Sequence, residues 1–173
     1  MAVFEAKDFR DGRSGGTPLH SQALEDMQAH LSAYADAVAA GGIELGRANV
    51  TSFDDVDDTS YVDVRGSAVP VQTGGRPINV WLRADGASCA APSFGGGFLL
   101  TEDGVDKGLI AAVITAAGLY ISLASFRPLT PTPGEHTYAL KAKTTNAANP
   151  LKALAGNGVG TNNSPLVLQV IQV

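Results

Sequence analysis

The sequence predicts a mainly β protein: an antiparallel, jelly-roll-like β-sandwich preceded by an N-terminal arm and one α-helix. Three observations carry that prediction. From Ile43 to Val173, apolar residues alternate with polar ones in short runs, which is the period of half-buried strands. Twenty glycines and nine prolines punctuate the chain, so turns recur too often for long helices to dominate. Before residue 43, one uninterrupted stretch has helical spacing instead. The chain therefore divides into an arm over residues 1–16, a helix over 17–42 and a β-sandwich domain over 43–173.

The arm holds two apolar anchors, Phe4 and Phe9, ahead of "RDGRSGG", which supports no regular element. The helix opens at Thr17-Pro18, an acceptor for an orphan N–H followed by the residue best suited to the first helical position. It stops at Gly41-Gly42. Within it, Leu24, Met27, Leu31, Tyr34 and Val38 follow steps of three and four, the a/d row of a coiled coil. These five are the predicted oligomerisation residues. The alternative is an amphipathic helix lying against its own sheet.

About eight or nine strands follow. In "SYVDVRGSAVPVQT", Val62 and Val64 share a face opposite Tyr61, Asp63 and Arg65, and Gly66-Ser67 marks a bulge or tight turn. "PINVWLRAD" sets Ile78, Val80 and Leu82 against Asn79, Trp81 and Arg83. "FGGGFLLTEDGVDKG" reads as a strand, a turn at Glu102-Asp103-Gly104 and a return, with the glycine run allowing close backbone approach. The uncharged run 108–126 is long enough for a membrane span, but Gly118 and its β-branched residues favour two strands around a turn at 116–118. "GEHTYALKAK" alternates again. The last strand, "PLVLQVIQV", is apolar on both faces, which places it centrally or at a subunit contact. Residues 85–97 and 144–165 read as loops and are the candidate contact loops.

Composition narrows function mainly by exclusion. A net charge of −5 argues against nucleic acid and anionic membrane as partners. The single cysteine, Cys89, rules out an intrachain disulfide and reads as a small buried thiol. The charged start "MAVFEAKDFRDGR" lacks the apolar stretch of a secretory signal. The acidic stretch Asp54–Asp58 has clustered carboxylates suited to a hard cation but reads more simply as a solvated loop. His20, His30 and His136 have no metal-ligand spacing, so no metal and no cofactor are expected. Glu102, Asp103 and Glu135 are the carboxylates that could serve glycan cleavage, though each sits at an apparent turn, and no catalytic residue is assigned. Tyr61, Trp81 and Tyr120 are the aromatic candidates for receptor contact, because aromatic faces stack on sugar rings.

Three segments resemble a known family. "GTPLHSQALEDMQAHL" is similar to the N-terminal helix of bacteriophage tail and fibre proteins. "TSYVDVRGSAVPVQTGGRPINVWL", with "PTPGEHTYALKAKT" and "PLVLQVIQV", resembles the C-terminal β-domain in minor tail proteins of siphophages infecting actinobacteria. The resemblance implies a structural protein of the virion without enzymatic activity, a homotrimer with a jelly-roll head that contributes to host-surface attachment. It implies that Phe4 and Phe9 dock the arm on other virion proteins, and that host cell-surface glycan is the external partner. A head fibre or capsid decoration protein could use the same plan, and a small glycan depolymerase is the enzymatic alternative.

Overall fold

The computed structural model describes residues 26–32, 42–89, 95–116, 119–156 and 163–173. The chain forms two compact units, Met1–Gly41 and Gly42–Val173. In the first, residues 26–32 are helical, and Met27 and Leu31 are exposed (40% and 63%). Phe4, Phe9, Leu24, Tyr34 and Val38 lie outside the described residues.

The second unit contains ten strands among the described residues: β1 (Ile43–Val50), β2 (Val62–Asp63), β3 (Val69–Gly74), β4 (Ile78–Ser88), β5 (Gly96–Glu102), β6 (Val105–Val113), β7 (Ile121–Leu129), β8 (Pro133–Thr144), β9 (Lys152–Leu154) and β10 (Leu166–Gln172). All pairings are antiparallel. One sheet has the order β1-β10-β4-β7, with β9 beside β4. The other has the order β2-β8-β5-β6, with β3 beside β8. The chain crosses repeatedly between sheets, so sequence neighbours face each other across the core, which is the jelly-roll arrangement.

The alternation explains why the two sheets close on each other. Ile78, Val80 and Leu82 of β4, Tyr138, Leu140 and Ala142 of β8, and Leu166, Leu168 and Val170 of β10 are buried in one core. At roughly 1.5–3 kcal/mol per fully buried large apolar side chain, this row dominates the stability of the domain. Gly46 shows how closely the sheets approach. A Cβ there would stand 2.8 Å from side-chain carbons of both Val69 and Val71. Strand β10 is central, paired with β1 along one edge and β4 along the other.

Two expectations need correction. Residues 85–88 are the end of β4 rather than loop, and 152–154 form β9 inside the segment read as a long connection. The apolar run 108–126 forms two strands as expected, β6 and β7, and these belong to different sheets. Ser125 Oγ and Arg127 Nη1 of β7 donate to the Ile110 and Leu109 carbonyls of β6 (2.6 and 3.2 Å), tying these edges together. Among the described residues, no helix is long and apolar enough to cross a membrane.

Candidate functional site

The two ends of the sandwich differ. At the base, Ile43 pairs with Gln172, Gln172 pairs with Ile78, and the Val173 N–H donates to the Pro77 carbonyl (3.2 Å). The other end, the tip, lies at Ser88. Eleven residues of β4 separate the two, about 35 Å at roughly 3.3 Å per residue.

The tip gathers the candidate contact loops. Gly95 and Thr145 exchange three hydrogen bonds: Thr145 N to Gly95 O (2.8 Å), Thr145 Oγ1 to Gly95 O (2.7 Å) and Gly95 N to Thr145 Oγ1 (2.8 Å). The Ser164 N–H donates to Asp85 Oδ2 at 2.6 Å. The described parts of 85–97 and 144–165 therefore form one surface. Beneath it, Thr115 Oγ1 accepts from the Cys89 N–H and lies 3.1 Å from Ser88 Oγ, and Thr144 Oγ1 donates to the Asn149 carbonyl (2.8 Å). Cys89 is fully buried there, a packing residue as expected. Each buried hydroxyl has a partner, so the tip is held by a satisfied polar layer rather than by apolar contact alone.

Exposed apolar side chains surround that layer: Ile114, Leu119 and Tyr120. The acidic loop lies alongside. Val56 bridges to Leu151, and Asp55 pairs with Lys152 at 2.9 Å, which raises the lysine pKa. A cavity of about 140 Å³ runs between this loop and Val62–Arg65. Among the described residues, no group of three or more His, Cys, Asp or Glu side chains converges as metal ligands would.

Tyr61, Trp81 and Tyr120 do not form one site. Tyr120 is at the tip, its Cβ beside Gly86. Trp81 stands on the outer face of the first sheet, with the Phe126 ring at 4.6 Å and the Arg83 guanidinium 5.2 Å from its centroid. Tyr61 lies on the outer face of the other sheet under Lys143 Nζ (4.6 Å), and burial followed by the charge of Asp106 raises its pKa. Only Tyr120 belongs with the loops.

Two of the three carboxylates nominated for chemistry, Glu102 and Asp103, come together at the base. Asp103 (φ 52°) and Gly104 (φ 79°) make the tight β5–β6 turn, where a left-handed backbone suits Asp-Gly. Asp103 Oδ1 accepts from the Thr137 N–H and Oδ2 from His136 Nδ1, both at 2.7 Å. His136 Nε2 faces the Thr132 carbonyl at 3.0 Å. Both ring nitrogens thus meet acceptors, and the Asp103 bond first, then the Thr132 carbonyl, raise the histidine pKa. The Thr137 N–H and then His136 lower that of Asp103. Glu102 accepts the Tyr138 hydroxyl at 2.6 Å and is paired with Lys107. Burial pushes Glu102 up, but those two hydrogen bonds and the Lys107 charge outweigh it and its pKa falls. Tyr138 is pushed far up by burial and by Glu102. Glu135 is exposed and outside this network. The arrangement binds the β5–β6 turn to β8 and leaves Glu102 and Asp103 engaged with protein groups. The sequence could not reveal it, because residues 103 and 136 meet only through the β5–β8 register.

No protein-family model matches the chain, and no curated protein matches it. Solved structures that match include the crystal structure of murine APRIL at pH 8.0, with a TM-score of 0.45 and 14% identity over 75% of this chain and 98% of that one.

Proposed function

We propose that the chain is a structural protein of a bacteriophage virion, a tail fibre or minor tail protein that contributes to host-surface attachment as a homo-oligomer, most simply a trimer. The observation that carries this reading is the polarity of the sandwich: its first strand, β1, begins at the base, and the candidate contact loops gather about 35 Å away at the tip. A module built this way fastens at one end and touches at the other. The resemblance of the helix and of the strand sequences to phage tail proteins supports the same plan. So does the exposure of Met27 and Leu31, the two described members of the a/d row, which leaves them open to partner copies. Several copies held together turn weak glycan contacts into lasting adsorption, because tethered sites rebind at high effective concentration.

Antibody labelling of intact particles tests the reading. Label on the tail is the expected result. Label confined to the capsid would replace this role with that of a head fibre or decoration protein, and unlabelled particles would overturn the virion assignment. Steady release of reducing ends from host wall polysaccharide, lost on changing Glu102 or Asp103, would overturn the non-enzymatic role.

A further inference from the structure

The outer face of the second sheet carries a trough that neither the loops nor the aromatic candidates include. It is an open cavity of about 490 Å³, within the size range of small-ligand sites. Its floor is small and polar: Thr101 of β5 lies directly opposite Ala139 of β8, and Thr137 follows along β8. One wall is the segment from Asp63 to Ala68. That wall is fixed rather than loose. Ser67 Oγ donates to the Val64 carbonyl at 2.8 Å and accepts from the Leu140 N–H at 3.0 Å, so the chain between β2 and β3 is fastened to the centre of β8. The opposite side is bounded by Gly104 and by Lys141, whose ammonium pairs with Asp106 at 3.3 Å.

The chemistry of the walls selects a ligand class. Asp63 and Arg65 are exposed at the rim, and neither side chain makes a hydrogen bond or ion pair with a described residue. One offers only acceptors and the other only donors. Thr101 Oγ1 donates to the Ala139 carbonyl (3.2 Å) and keeps acceptor capacity, and the Thr137 hydroxyl adds a further donor and acceptor. The charges of Asp63, Arg65, Lys141 and Asp106 cancel, so an anionic polymer gains no net attraction. An uncharged ligand with many hydroxyls can meet both polarities. The trough is open to solvent rather than enclosed, so a longer chain can lie across it. Beyond Asp63 the same face continues to Tyr61 and Lys143.

We infer that this trough binds an internal segment of a neutral polysaccharide, with Asp63 and Arg65 bonding to sugar hydroxyls over the Thr101–Ala139–Thr137 floor. The inference rests on the attachment reading, gives it a ligand class and adds a second contact on the flank of the sandwich, apart from the tip loops. The test is native-gel affinity electrophoresis of the full chain in gels containing dextran, mannan or galactan, with hyaluronate as the anionic comparator. Retardation by at least one neutral polymer and not by hyaluronate is expected. Asp63→Ala and Arg65→Ala should each weaken that binding tenfold or more with unchanged melting temperature, while Trp81→Ala, on the other sheet, should leave it intact. The inference is overturned if none of the three neutral polymers retards the protein, if hyaluronate binds as well, or if retardation survives both rim substitutions. Particle labelling separates the two claims: labelled tails with no retardation would sink the trough alone, and retardation with unlabelled particles would sink the virion role alone.

Discussion

At the scale of single residues, His136 is the side chain whose state the structure constrains most. A neutral imidazole has one N–H, so it can donate to Asp103 or to the Thr132 carbonyl but not to both. The protonated ring donates to both. Glu102 Oε1 lies 3.8 Å from the same Nδ1, Lys107 pairs with Glu102 beyond it, and the Tyr138 ring is 6.4 Å away, so the net field at the ring is negative. The folded-state pKa therefore lies above the ordinary 6.5. A group raised on folding lends stability that is complete below its unfolded value and is lost as pH rises through the folded one. Asp103 and Glu102, both lowered, act in the opposite sense, and their contribution disappears only as pH falls through the carboxylate range. The melting temperature of the wild-type chain should thus decline as pH climbs from 6.5 through the raised His136 value. His136→Gln, which cannot titrate, should melt lower at pH 6 and change little across that window. Parallel profiles for the two proteins, measured by circular dichroism, would show that the ring carries no protonation-linked stability.

At the scale of elements, the interruption between β2 and β3 matters as much as the strands. Both pair with the same edge of β8, and Ser67 stands between them where no ladder bond is available. Its hydroxyl supplies what the ladder lacks, satisfying the Leu140 N–H and the Val64 carbonyl while itself almost completely buried. Ser67→Ala leaves the Leu140 N–H without that acceptor, at a cost of about 1–3 kcal/mol in urea unfolding. A loss below a few tenths would mean that water replaces the hydroxyl. This element also marks what could be read beforehand. The valines on either side alternate, so the strands and the break at Gly66-Ser67 were visible in the sequence, as was the Asp103-Gly104 turn. The fate of 108–126 was only half visible: alternation tells which face is buried, but not which sheet a strand joins. Strand β9 was hidden because three half-buried residues beside β4 carry no period. The trough and the His136 cluster were invisible for one reason. Their members are ordinary turn and strand residues that become neighbours through the register of β8 with β3 and β5.

At the scale of the whole molecule, the question is what the helical unit adds to a sandwich that already encloses its own core. Among the described residues, the buried core is drawn from residues 48–170, all of them within the second unit. Self-association, by contrast, has to overcome about 4–15 kcal/mol of lost translational and rotational freedom. Met27 and Leu31 go part of the way to that cost, at roughly 1.5–3 kcal/mol each when fully buried, or about 3–6 kcal/mol from each copy. The predicted row of five, adding Leu24, Tyr34 and Val38 from every copy, reaches it, and a helix this short gains its stability from that packing rather than from propensity. Deleting residues 1–42 should therefore leave the strand signature and a cooperative melt, while the native mass falls from a multiple of the chain to a single copy. Truncated protein that keeps the multiple would move the contact onto the sandwich, where the outer-face pair of Trp81 and Phe126 becomes the place to look. Truncated protein that no longer folds would instead mean that the helix is part of the core.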